Sequence, residues 1–170
     1  MFLYQEKGKR LLSDLLKLSK PIQPRFISKV KAGGGFEADY VKHSVIVEHL
    51  LGIIGPFDQE VKEILRGPGG EVEGVVGRFT FQIDGDTVVI EEAGGVERKD
   101  KGKALPAGEA LKDCMSDAVK RAASRIGLGT HLWSGPGYTL YDSLSKRVPD
   151  HPSKEGFVPK LVTEKEATDE

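Results

Sequence analysis

The segment from Leu111 to Gly129, LKDCMSDAVKRAASRIGLG, constrains the fold most. Leu111, Met115, Ala118, Val119, Ala122 and Ile126 recur at helical spacing and fall within one arc of about 100° on a helical wheel. Lys120, Asp113, Ser124, Asp117, Arg121 and Arg125 take the opposite arc, and Cys114 falls on the apolar side. The pattern predicts a helix over 107–127 whose small-residue stripe seats on a sheet and whose basic end faces outward, with Gly-Leu-Gly ending it. Asp117 stands four residues before Arg121, so a plain ion pair accounts for part of that charge. Cations near a helix C-terminus also complement the helix dipole. Taken alone, the helix leaves a merely wet face and a polyanion-binding face both open.

The rest of the chain sets the frame for that helix. A length of 170 residues, 38% hydrophobic and 30% charged, suits one globular domain with a real core. No apolar run is long enough for a membrane span, and MFLYQEKGKRLL lacks the features of a secretory signal. The single cysteine, Cys114, excludes an intrachain disulfide and a cysteine-based zinc site; it reads as a packed thiol in a reducing, cytoplasmic compartment. The net charge of −1 argues against a strongly basic nucleic-acid binder, yet the charge is unevenly spread. Residues 1–31 carry eight Lys/Arg against two acids, a net of +6, while residues 155–170 carry five acids against two lysines, a net of −3.

Along the chain, residues 5–19 predict an amphipathic helix with Leu11, Leu12, Leu15, Leu16 and Leu18 on one face, stopped by Pro21 and Pro24. That leucine face has to pack on its own domain or on a neighbouring subunit. RFISKVKA predicts an extended basic segment running into the Gly33-Gly34-Gly35 turn. The spacing of Val41, Val45, Ile46, Leu50, Ile53 and Ile54 predicts a second helix over Tyr40–Gly55. Strands are predicted at Glu60–Leu65, Val72–Ile83 and Thr87–Glu92, with Asp84-Gly85 as a tight hairpin turn between the last two. The segment THLWSGPGYTLYDSL is aromatic and turn-rich, and residues 146–170 are polar, Pro-containing and acidic, as expected of a flexible tail. The expected organisation is an N-terminal helix at 1–20, one domain at 21–145 and the tail at 146–170. Its class is α+β: an antiparallel three- to four-stranded sheet with a long helix packed on it, plus the glycine-turn and helix segment.

An active site is hard to build from these residues. The four histidines, His43, His49, His131 and His151, form no metal-binding pattern, and no GxSxG nucleophile elbow occurs. GPGGEVEG lacks the Gly-Lys-Ser/Thr of a phosphate loop. Asp84, Asp86, Glu91 and Glu92 offer the one arrangement that a Mg²⁺-dependent nuclease could use, although paired acids at strand ends usually serve solvated turns. No cofactor or metal is expected.

A binding surface is easier. Arg25, Lys29 and Lys31 alternate along the extended segment, which would set all three on one face, and Tyr40 follows the glycine turn as a ring for stacking. Cations spaced along a strand beside an aromatic platform suit a single-stranded nucleic acid. The stretch RFISKVKAGGGFEADYVKHSVIVEHLLGIIG resembles the opening motif of the Rad fifty-two/Rad twenty-two family of single-strand annealing proteins, and DAVKRAASRIGLG is similar to its second block. The Asp84-Gly85 hairpin and the following Glu-Glu-Ala-Gly-Gly sit where that family's sheet would place them. The similarity covers about residues 24–145.

The resemblance implies an oligomeric ring whose basic groove holds single-stranded DNA by its phosphates with the bases exposed. Tyr40, Lys120 and Arg121 match groove positions. Val30 stands where the family has an arginine, flanked by Lys29 and Lys31; Ser124 stands at another, with Arg125 beside it. Lys101 and Lys103 match a second, outer DNA-binding region, and Pro56-Phe57 replaces a family tryptophan. The lack of a long C-terminal recombinase-binding region resembles a bacterial or bacteriophage member, working on the nucleoid or on replicating phage DNA. The implied function is ATP-independent binding and annealing of single-stranded DNA in recombination and repair, with no catalysis. The alternatives are a recombination mediator or DNA-end-protecting protein without annealing, and the nuclease. The implied partners are single-stranded DNA, further copies of the chain, and a host single-strand-binding protein or recombinase that the acidic tail could touch; no membrane is implied.

Overall fold

In the computed structural model, which describes residues 13–31, 35, 37–96 and 105–147, the chain opens on helix α1, described over residues 13–19. A 3-10 turn at Pro24–Phe26 leads into an antiparallel ribbon of β1 (Ile27–Lys31) and β2 (Glu37–Val41), followed by α2 (His43–Ile54). Next comes an antiparallel sheet of β3 (Asp58–Arg66), β4 (Val72–Ile83) and β5 (Asp86–Gly95), in that spatial order. The 19-residue α3 (Ala107–Arg125) lies across β4 and β5, and short helices α4 (His131–Ser134) and α5 (Leu140–Ser145) follow. The fold is α+β with antiparallel sheets, as the pattern of elements predicted.

Packing of α3 on the sheet follows from small side chains. Ala110, Cys114, Ala118, Val119, Ala122 and Ala123 are buried on the helix, against a β4 face that buries Val75, Phe79 and Phe81. Gly94 on β5 allows the closest approach: a Cβ there would lie 2.0 Å from the Cys114 carbonyl oxygen and 2.6 Å from the Ala118 nitrogen. Gly-Leu-Gly then closes the helix as a Schellman turn. Gly127 takes a φ of 102°, its N–H donates to the Ser124 carbonyl at 3.1 Å, and the Leu128 N–H donates to the Ala123 carbonyl at 3.0 Å.

The β4–β5 hairpin turns on Asp84 and Gly85, both left-handed with φ of 54° and 88°, the conformation a two-residue type I′ turn requires. GPGG serves the β3–β4 hairpin, where the Gly67 N–H donates to the Glu71 carbonyl at 2.9 Å. On α1, Leu16 and Leu18 are buried, as is Ile22 just beyond it, so the described part of the leucine face packs on its own domain.

Two expectations need correction. Tyr40 and Val41 do not begin the second helix; they pair with Ser28 and Ile27 as the end of β2, and Lys42 is extended at φ −62°, ψ 143° before α2 starts at His43. Val41 fits the helical apolar spacing only because its buried side chain continues the same core. Arg25 does not share a strand face with Lys29 and Lys31, because Pro24 sets a 3-10 turn there and β1 starts at Ile27. The aromatic, turn-rich segment after Gly129 holds the two short helices α4 and α5 with a 3-10 turn between them. Residues 1–12 of the N-terminal helix, the three residues 32–34 of the glycine turn, Lys101 and Lys103, and residues 148–170 of the tail lie outside the described residues.

Candidate nucleic-acid interface

The C-terminal half of α3, the end of β2 and the turn around α4 enclose a groove of about 420 Å³. Val41, Ile46, Leu128 and Leu132 supply its apolar lining, Lys120, Arg121 and Arg125 its cations, Asp39, Glu92 and Asp117 its carboxylates, and Tyr40 and Trp133 its aromatic rings. A second hollow of about 370 Å³ shares Tyr40, Asp117, Lys120 and Arg121 with the first and runs on to Val96. The Tyr40–Lys120 pair therefore stands between two connected depressions.

Each cation is placed by a recognisable local cause. Lys120 and Ser124 stand four residues apart on α3, which stacks them on one face, and Leu128 follows four residues later in the turn that ends the helix. The Lys120 ammonium lies 5.0 Å from the Tyr40 ring centroid, a cation–π contact. No carboxylate pairs with Lys120 among the described residues. Arg121 bonds Asp117 at 2.9 Å, the helical pair the sequence suggested, and Asp117 also accepts the Gly95 N–H at 3.2 Å, tying the end of β5 to the helix. Arg125 reaches across to Glu92 on β5 at 2.8 Å. The Arg121–Asp117 pair lies near the surface, where an ion pair contributes only about 0–1 kcal/mol, so an incoming phosphate can replace that carboxylate without a large loss, whereas the Glu92 carboxylate beside Arg125 is only 15% exposed.

Tyr40, Lys120, Arg121 and Arg125 thus come together, whereas Arg25, Lys29 and Lys31 do not line this groove. Cross-strand pairing sets Lys29 beside Asp39 and Lys31 beside Glu37 on one face of the ribbon, and Tyr40 beside Ser28 on the other. Lys29 forms an ion pair with Asp39 at 2.6 Å, which raises its pKa through the hydrogen bond first and the opposite charge second. Arg25 stacks over Phe26 with its guanidinium 4.7 Å from the ring centroid.

Two groups near the groove are absent from the sequence-based set. Trp133 lies on its wall with 83% of its surface exposed. The available signal was an aromatic residue closely following a helix-ending Gly-Leu-Gly, but only the turn's geometry shows where it points. His43, the first residue of α2, has a buried Nδ1 without a hydrogen-bond partner. Burial pushes its pKa down, the Ser116 backbone opposes that, and the Lys120 charge lowers it further.

Three acids of the nuclease alternative, Asp84, Glu91 and Glu92, have separate partners. Glu91 pairs with Arg78 at 2.7 Å, Glu92 with Arg125, and Asp84 accepts the Asp14 N–H on α1. Among the described residues no group of three His, Cys, Asp or Glu is placed to hold a metal ion. Nor is any described helix long and apolar enough to cross a membrane.

No protein-family model matches the chain. Over 125 residues it is 26% identical to the DNA repair RAD52-like protein 1, mitochondrial, of Arabidopsis thaliana, a match covering 73% of this chain and 68% of that protein. The chain whose β2 and α3 form the cationic, aromatic groove is therefore similar in sequence to a DNA-repair protein of RAD52-like kind.

Proposed function

We propose that this protein binds single-stranded DNA in the groove between β2 and α3 and anneals complementary strands without ATP and without catalysis, in recombination and repair. The observation that carries the reading is the Lys120 ammonium over the Tyr40 ring, flanked by Arg121 and Arg125 in one continuous groove. Phosphates bound there lose much of the repulsion that keeps two strands apart, so complementary bases can meet at lower cost. The similarity to a DNA-repair relative supports the same reading. Annealing two long strands calls for many such grooves in register, which a ring of identical subunits joined head to tail would supply.

The test is fluorescence anisotropy with a labelled oligothymidylate, followed by strand pairing of complementary oligonucleotides without nucleotide cofactor. Lys120→Ala/Arg121→Ala should weaken binding at least tenfold while leaving the circular dichroism spectrum intact. Unchanged affinity in that variant would remove the groove from the reading. Tight binding without faster pairing would leave a strand-protecting protein in place of an annealing one.

A further inference from the structure

We propose that Trp133 is a nucleobase platform, so that the groove turns at least one base of the bound strand inward against the protein instead of presenting every base to solvent. The inference rests on the groove being a single-strand site and adds how the strand is seated there.

The chain's single tryptophan is 83% exposed, although an indole is among the costliest side chains to leave in water without a partner. Its surroundings point to the partner. Lys120, Arg121 and Arg125 line the same groove with Asp39, Asp117 and Glu92. Those three acids are taken by Lys29, Arg121 and Arg125, so the charge left for an occupant is the Lys120 ammonium, which calls for an anion. Val41, Ile46, Leu128 and Leu132 give that groove an apolar lining, so the occupant also carries a flat or apolar part. A phosphate alone has no use for such a lining, and duplex DNA keeps its base faces stacked on one another. A single strand offers both a charged backbone and free base faces, and stacking on an aromatic side chain accepts any base.

The main chain that carries the indole is also held in place. The Gly127–Gly129 turn fixes the exit from α3, and the Thr130 hydroxyl donates to the Ser124 carbonyl at 3.1 Å. His131 packs edge-on against Tyr138 with ring centroids 5.9 Å apart, and the Tyr138 hydroxyl donates to the Ser19 carbonyl on the N-terminal side of the domain. The main chain under Trp133 is therefore set before any strand arrives, which lowers the ordering cost of binding.

Trp133 reports on itself, because all tryptophan emission of the chain comes from it. The full chain is titrated with an oligothymidylate and with an abasic oligonucleotide of equal length and charge. Emission should be quenched by the first and hardly altered by the second. Trp133→Ala should bind oligothymidylate about tenfold more weakly, with abasic affinity unchanged, and Trp133→Phe should recover most of the loss. The dependence of log affinity on log salt should keep its slope in Trp133→Ala, since no charge is lost, while Lys120→Ala should reduce that slope by about one. Equal oligothymidylate affinity in Trp133→Ala, or emission blind to the strand, overturns the proposal while leaving the groove standing. Emission that responds to protein concentration alone, together with altered assembly in Trp133→Ala and unaltered binding, also overturns it and assigns the indole to a subunit contact. Failure of the wild-type chain to bind any single strand would defeat the groove and the platform together.

Discussion

Asp84 shows how much one residue can hold together. It occupies the first left-handed position of the type I′ turn, where only a few residue types sit without strain, and its carboxylate accepts the Asp14 N–H with both oxygens at 3.1 and 3.2 Å. Asp14 answers by accepting the Asp84 N–H at 2.9 Å, so a sheet hairpin and the first described turn of α1 are tied by reciprocal bonds. Burial pushes the Asp84 pKa up; bonds from the Asp14 and Leu15 backbone oppose that, and the Asp14 charge adds to the rise. A carboxyl whose folded pKa exceeds its unfolded value contributes fully below the unfolded value and loses that contribution as pH rises through the folded one. At neutral pH the charge on Asp84 therefore works against the fold. Asp84→Asn keeps an acceptor and tolerates the left-handed backbone, so it should raise the melting temperature at pH 7 and lose that advantage near pH 4. Asp84→Ala removes the acceptor and should cost about 1 kcal/mol, roughly 2–4 °C. Thermal unfolding followed by circular dichroism at the two pH values checks both variants, and a less stable Asp84→Asn at pH 7 would mean that the ionised cap is the favourable form.

At the scale of elements, the seat of α3 on β5 governs both stability and the groove, since Lys120, Arg121 and Arg125 all ride on that helix. An added methyl at Gly94 meets helix backbone, which cannot swing aside as a side chain would. Gly94→Ala should destabilise by about 1–3 kcal/mol and weaken DNA binding as the helix lifts, measurable by melting and anisotropy. Gly52, inside α2 with nothing within 4 Å of where a Cβ would stand, is the control: Gly52→Ala should stabilise by about 0.5–1 kcal/mol. The legibility of these elements in the sequence follows the same physics. The limits of α3 were readable because a small-residue stripe and Gly-Leu-Gly are local signals, and Asp84-Gly85 marked its hairpin for the same reason. β2 was not readable: Glu37, Asp39 and Tyr40 are exposed, so the strand shows no apolar alternation and exists through pairing with β1. The groove was half readable. Tyr40 and the α3 cations converge as expected, but only the folded ribbon shows Lys29 tied to Asp39 and Lys29 and Lys31 outside the groove lining, and only the helix-ending turn brings Trp133 to the wall.

For the whole molecule, the assembly proposed above would most readily use the free edge of the sheet. Every residue of β3 is exposed, and Val61, Ile64 and Leu65 keep 42%, 37% and 40% of their surface. Val61 pairs with Gly77 and Ile64 with Val75, which puts both on the sheet face that α3 covers over β4 and β5. The described residues thus leave an apolar strip at one edge of an otherwise covered face, while Asp58, Glu60, Lys62 and Glu63 between and around it discourage indiscriminate strand pairing. An edge that is apolar on one face and charged elsewhere fits a specific neighbour, and a second copy of the chain docking there in a head-to-tail sense would align one groove with the next. Linked grooves bind a long strand far more tightly than separate ones, because each contact after the first is made at high effective concentration. On the proposed head-to-tail assembly, light scattering should find the wild-type chain as an oligomer and Val61→Glu/Ile64→Glu as a single chain. Affinity for a short oligonucleotide that fills one groove should hardly change, while affinity for a long strand should fall at least tenfold. An unaltered mass in the double variant would move the subunit seam away from β3.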